Sequence, residues 1–226
     1  MIKALLLDLD DTLLQETVAR AVAARSLFGS VTNGGSAEAE PTFLRRWSEA
    51  TVKHFDRYVR GEISFLQQRR ERIREVIDER MSDSEADRLL DQYVAVYQDN
   101  WCLFPDVDEF LRRHATFRIA IVTNGQAEQQ RAKVRAVGLE SKVQGLIISE
   151  EVGASKPSAE IFFAACKAIG ASPEQCLCIG DSLQVDIRGA ENAGIPAVLI
   201  DRQSVHARVP GVRAVASLLE IDANAL

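Results

Sequence analysis

The chain has 226 residues, 46% of them apolar and 27% charged, with four cysteines and a formal net charge of −6. That length allows one large domain, or a core domain with a smaller insert, and buries enough apolar surface without disulfides or a structural metal. The acidic balance argues against a nucleic-acid polymer as partner, and no apolar run is long enough to cross a bilayer, so no membrane partner is expected.

The first apolar run, Ile2–Leu7, reads as a buried strand. It is too short for the apolar region of a signal peptide and acids follow it at once, so a cytoplasmic location is expected. From about residue 15 to 100 there is no strand pattern, and Thr17–Phe28, Thr42–Val59, Ile63–Arg80 and Ser84–Asn100 have helical spacing. Ser82 and Glu85 stand three apart, as in a capping box. Gly29–Ser36 is rich in turn formers and reads as a surface loop. Arg45 and Arg46 read as a solvated pair beside the core aromatic Trp47, with Phe43 nearby. Arg69, Arg70, Arg72 and Arg74 alternate with Glu71 and Glu75, which suggests a salt-bridged, solvated helix face.

From residue 118 onward strands and helices alternate. Arg118–Thr123, Gly145–Ser149, Cys176–Gly180 and Ala197–Ile200 read as strands. Helical patterns cover Ala127–Val137, a stretch that starts after Pro157 and runs to Ile169, and Ile187–Ala193, each stopped by a glycine. Such alternation predicts an α/β fold: a Rossmann-like parallel sheet with helices on both faces, formed by residues 1–14 and 101–226. Residues 15–100 then form an all-helical insert after the first strand. Cys102, Cys166, Cys176 and Cys178 match no metal or redox spacing, and Cys176 and Cys178 read as buried core thiols.

Two strand ends carry acids. The first gives Leu7-Asp8-Leu9-Asp10-Asp11, three carboxylates within four positions that repel one another unless a cation or an acid-tolerant helix start relieves them. The second gives Gly180-Asp181-Ser182 and, five residues after Asp181, Asp186. Carboxylates from two strands at one sheet edge suggest a hard oxygen site for Mg2+. Val122-Thr123-Asn124-Gly125 ends its strand with a hydroxyl, an amide and a permissive glycine, a turn whose N–H groups suit an anion. Lys156, before Pro157 at an expected helix start, opposes the helix dipole, so it reads either as the partner of an anion or as a surface lysine.

Asp-x-Asp-x-Thr, a strand ending in Thr-Asn-Gly, then Lys-Pro, then Gly-Asp-Ser-x-x-x-Asp together resemble the haloacid dehalogenase superfamily. The resemblance covers residues 1–14 and about 103–201. It implies that Asp8 is a nucleophile toward phosphorus and that Asp10 is general acid, then base. It implies that Thr123 and the amide of Asn124 hold the phosphoryl oxygens, and that Lys156 balances charge. Asp8, the Asp10 carbonyl and Asp181 would bind Mg2+, with Asp186 direct or through water. The helical insert is similar to the family's helical (C1-type) cap, which closes over small substrates and chooses among them. Asp10 separates the phosphoryl-transfer members from the dehalogenases, which lack an acid there. The core stretches 124–126 and 147–153 are most similar to members acting on nucleoside monophosphates or acyl-sugar phosphates.

The expected function is a phosphatase for a small phosphorylated metabolite, a nucleotide or sugar phosphate, working as a monomer or homodimer. A phosphomutase and a non-catalytic binding protein on the same scaffold are the alternatives. A nucleotide-binding oxidoreductase is excluded, because no G-x-G-x-x-G follows a strand.

Overall fold

The computed structural model describes residues 1–32, 39–203 and 209–223. Its strands are β1 (Ala4–Leu7), β2 (Arg118–Thr123), β3 (Gly145–Ile148), β4 (Cys176–Gly180), β5 (Ala197–Ile200) and β6 (Arg213–Val215). They form one sheet in the order β3-β2-β1-β4-β5-β6, with every pairing parallel. Three residues beside Pro210 and Gly211 are too few to show a period, so β6 was not legible in the sequence. The other five strands lie where the apolar runs predict, to within two residues.

The helices are α1 (Glu16–Thr32), α2 (Glu40–Val59), α3 (Phe65–Val76), α4 (Asp83–Asp99), α5 (Val107–Arg113), α6 (Ala127–Ala136), α7 (Ser149–Val152), α8 (Ala159–Ala168) and α9 (Arg188–Asn192). By contacts the chain separates into two compact units, Met1–Gln15 with Cys102–Leu226, and Glu16–Trp101.

The first unit is a Rossmann-like α/β fold. Strand β1 is completely buried because both neighbours and both faces are covered, which is why it reads as an unbroken apolar run. Ala4 and Leu6 point to one face with Ala120, Val122, Cys176 and Cys178. There they meet Ile161, Phe162, Ala165 and Cys166 of α8 and Ala190 of α9. The alternate residues Leu5, Leu7, Ile119 and Ile121 are equally buried on the opposite face. Cys166, Cys176 and Cys178 are buried free thiols, and Cys102 is exposed.

The second unit consists of α1–α4. Ala19, Ala23 and Leu27 of α1, Trp47 and Ala50 of α2, Ile73 and Val76 of α3, and Leu89, Leu90, Tyr93 and Tyr97 of α4 share one core. These recur three, four or seven apart, so each helix buries one stripe. The Ser82–Glu85 capping box is present, and Ser64–Gln67 forms a second.

Two expectations for this unit need correction. Gly29–Thr32 does not begin a loop but continues α1: the Ser30 and Thr32 hydroxyls donate back to the carbonyls of Leu27 and Phe28. The rest of that turn-rich segment, 33–36, lies outside the described residues. Nor are the α3 arginines one solvated face. Arg70 pairs with Asp83 and Asp87, and Arg74 with Asp83, so their partners come from α4 rather than from α3. Arg72 is 5% exposed and lies over the rings of Trp47 and Tyr93, at 4.6 and 5.0 Å. Burial pushes its guanidinium below the ordinary value. Arg45 and Arg46 are exposed beside buried Trp47. Among the described residues, no helix is long and apolar enough to cross a membrane.

A buried junction closes the first unit. Asp106, 8% exposed, accepts from Arg202 Nη1 and Nη2 at 2.9 and 3.1 Å, from Ser217 Oγ at 2.7 Å and from the Leu218 N–H at 2.9 Å. Burial pushes its carboxyl up, but Arg202, Ser217 and Leu218 more than offset this and hold it below the usual range. Asp106→Ala should therefore lower stability by about 2–4 kcal/mol in urea denaturation, because Arg202 loses its counter-charge. A depressed carboxyl contributes above its unfolded pKa, so the difference should shrink as pH falls below about 4.

Candidate active site

In this strand order the chain leaves β1 toward one edge of the sheet and β4 toward the other. The crevice of such a fold opens at the carboxyl ends of those two strands. Asp8 follows β1 and Asp181 follows β4. The strands pair Leu7 with Ile179, and the Asp8 N–H continues the ladder to the Ile179 carbonyl at 2.9 Å.

After Asp8 the chain folds back tightly. Leu13 and Leu14 N–H both reach the Leu9 carbonyl at 2.9 Å, and Asp11 N–H reaches Leu14 at 2.7 Å. Asp11 takes a φ of 62°, which aspartate tolerates better than most residues. Leu9, Leu13 and Leu14 are fully buried and anchor this loop, so Asp8 and Asp10 are placed by apolar packing beside them.

On the β4 side, Leu183–Ile187 forms one π-helical turn, not the start of an ordinary helix, and α9 begins only at Arg188. The wide turn swings Asp186 back over the end of β4, where its Oδ2 accepts from the Ser182 N–H at 3.0 Å. Only glycine fits beneath it: a Cβ on Gly180 would stand 2.4 Å from Asp186 Cγ.

Lys156 lies before α8, which starts at Ala159, after Pro157 as expected. It is not a surface lysine. It is 4% exposed, and its Nζ donates to Asp8 Oδ1 and Asp186 Oδ1, both at 2.6 Å. Burial alone would push the ammonium down, but Asp186 and Asp8 reverse this and raise it above the ordinary lysine value. Asn124 fixes its backbone, accepting from the Lys156 N–H at 2.8 Å and donating to the Lys156 carbonyl at 2.9 Å. Thr123, 1% exposed, ends β2 at the same edge.

The structure thus brings Asp8, Lys156, Asp181 and Asp186 together. Ligand atoms of the three carboxylates lie within 4.8 Å of one another. Asp8 is pushed up to about 7, first by burial, against the pull of Lys156, and then by Asp186. Asp181 is pushed up to about 8 by burial and then by Asp8 and Asp186. Asp8 Oδ2 is buried and has no hydrogen-bond partner. An orphaned oxygen within a set of crowded, hard oxygen donors fits a divalent cation. The Asp10 carboxylate turns elsewhere, toward α6, where Lys133 and Gln130 hold it. The motif reading missed both residues. Their one signal is that 130, 133 and 134 fall on a single buried face of α6.

Residues 2–194 match the family model for haloacid dehalogenase-like hydrolase. The chain belongs to that family. It is 34% identical to a phosphoserine phosphatase of Thermus thermophilus, over 88% of this chain and 89% of that protein. It is 30% identical to a glyceraldehyde 3-phosphate phosphatase of Methanopyrus kandleri, over 89% and 85%. A shorter match, 36% identical, covers 41% of this chain and 37% of the N-acylneuraminate-9-phosphatase of Mus musculus. Among solved structures, the HAD-hydrolase YfnB of Bacillus subtilis, bound to magnesium, superposes with a TM-score of 0.78 at 24% identity, covering 97% and 96% of the two chains. Haloacid dehalogenase-like hydrolases generally use a divalent metal, and the buried acidic cluster suits one.

Gly180→Ala should displace Asp186 and weaken divalent-cation binding by roughly 10–100-fold in calorimetric titration, with the fold retained. A second expectation follows from the raised carboxyls of Asp8 and Asp181. Between about pH 4 and pH 8 the metal-free folded protein binds more protons there than the unfolded chain. Its thermal stability should fall as pH rises through that window, and a divalent cation should flatten the slope.

Proposed function

We propose that this hydrolase of small phosphate esters works through a covalent aspartyl-phosphate on Asp8, with Mg2+ as its metal. The observation that carries the reading is the Lys156 ammonium held 2.6 Å from both Asp8 and Asp186 in a buried site. A carboxylate can approach a phosphate dianion only where positive charge offsets their repulsion. Asp8, Asp181, Asp186 and the Asp10 carbonyl would hold the Mg2+. When bound, the metal supplies charge neutralisation and orientation of the phosphoryl group.

In the first step an oxygen of Asp8 forms a bond to phosphorus as the bond from phosphorus to the alcohol oxygen breaks, and Asp10 gives the departing alcohol oxygen a proton. In the second, water attacks the phosphorus and returns a proton to Asp10. The bond to Asp8 breaks, and inorganic phosphate leaves. Thr123 Oγ and the Asn124 N–H, at the end of β2, hold phosphoryl oxygens in this reading, and Lys156 balances the transferring group.

The helical unit, Glu16–Trp101, is the cap domain in this reading, and its side chains choose the substrate. The substrate is a nucleotide, a sugar phosphate or a short phosphorylated acid. The last class is supported by a relative named for phosphoserine, and the sugar phosphates by one named for glyceraldehyde 3-phosphate. The free thiols support a reducing, cytoplasmic setting.

Phosphate release should be measured from a panel of phosphoserine, triose phosphates, sugar phosphates, nucleotides and an aryl phosphate, with Mg2+ and with EDTA. Release that requires the metal is expected, and Asp8→Asn should lower it at least ~10⁴-fold while the protein stays folded. Substantial turnover by Asp8→Asn would sink the nucleophile assignment.

A further inference from the structure

Asp10 does not stand free beside Asp8. Lys133 Nζ donates to both Asp10 oxygens, at 2.8 and 2.9 Å, and the lysine side chain is 1% exposed against 27% for Asp10. One turn earlier on α6, Gln130 Nε2 donates to Asp10 Oδ2 at 3.0 Å and to Thr123 Oγ1 at 2.5 Å. Gln130 is also 1% exposed. It fits there because Gly125 has no side chain: a Cβ at that position, where φ is 150°, would stand 3.1 Å from Gln130 Cγ.

A lysine and a glutamine with their polar ends buried are unfavourable unless those ends are satisfied. Here the partners that satisfy them include an acid and a hydroxyl from two different strand ends. Three features make this a device rather than a surface ion pair. The lysine is buried, both carboxylate oxygens are engaged, and Gln130 bridges Asp10 to the last residue of β2. A bidentate grip fixes the plane of the carboxyl group, which sets the direction in which it can pass a proton.

We propose that Lys133 and Gln130 are positioning residues for Asp10. They orient its carboxyl from α6 and tie it to Thr123, so that the acid–base group and the phosphate-holding hydroxyl keep one fixed relation. The inference rests on the acid–base role given to Asp10 above.

The test compares an alkyl phosphate, whose departing alkoxide needs a proton, with 2,4-dinitrophenyl phosphate, whose leaving group does not. The reading is kcat/KM, which reports the steps up to departure of the alcohol. Lys133→Met should lower kcat/KM for the alkyl ester by ~10²-fold and for the dinitrophenyl ester by less than about threefold, a split that follows from selective loss of proton transfer. Asp10→Asn should show the same split, and adding Lys133→Met to it should cost almost nothing more. Lys133→Arg should recover part of the alkyl activity. Gln130→Met keeps the buried ion pair, so it should fold where Lys133→Met does not, and it should show the same selectivity at smaller amplitude.

Equal losses on both esters, no loss on either, or additive losses with Asp10→Asn would each overturn the proposal. If Asp10→Asn itself lacks the split, Asp10 is not the acid and the positioning role falls with it. The covalent phosphatase reading would stand or fall separately, on Asp8→Asn and metal dependence.

Discussion

Asp8, Asp181 and Asp186 crowd their carboxylates at the ends of two adjacent strands, and most of the first unit can be understood as the means of holding them there. Three carboxylates so close are unfavourable, and burial makes them more so. Lys156 offsets one negative charge by bridging Asp8 and Asp186. Two formal charges remain in that set, and the Asp8 and Asp181 carboxyls are raised first by burial and then by their carboxylate neighbours. A divalent cation is the simplest group of matching charge. The same surplus of negative charge that disfavours the metal-free protein would favour binding of such an ion.

Holding that cluster takes backbone as much as side chains. Parallel pairing of β1 with β4 puts Asp8 beside Asp181. The π turn aims Asp186 inward, and Gly180 leaves room for it. Asn124 binds the Lys156 backbone through both its N–H and its carbonyl, so the ammonium is placed by the end of β2 rather than by its own flexible stem. Arg202 contributes from farther away, donating to the Thr12 carbonyl at 2.8 Å while paired with Asp106. The loop that carries Asp8 and Asp10 is thus tied to the C-terminal part of the sheet.

Five of six strands were legible because β1–β5 are buried on both faces or nearly so, and burial writes a continuous apolar run. The acids were legible because charge straight after such a run is improbable without a use. Lys133 and Gln130 were not, for an opposite reason. In Ala127–Ala136 they sit among Glu128, Arg131 and Arg135, and a helix of that composition reads as solvated. Arg72 was misread in the same way. In both cases a long charged side chain occupies an inward position, and composition carries no information on direction. The π turn was hidden too, since one extra residue in a turn leaves no period to detect.

The division between the units also explains why substrate identity is harder to reach than reaction type. In the proposed reading the functional side chains at the sheet edge serve the phosphoryl group, the cation or the acid–base group, and those needs are common to all phosphomonoesters. Relatives matched over most of their length carry names that differ in everything but the phosphate, a serine in one and a triose in the other. In the proposed reading the site at the sheet edge acts on charge at phosphorus and on proton transfer, and neither tells one ester from another. Discrimination must then be supplied by side chains outside it, and in the proposed reading these belong to Glu16–Trp101. That unit has a core of its own, built from Trp47, Ile73, Leu90 and Tyr93 and distinct from the one against the sheet.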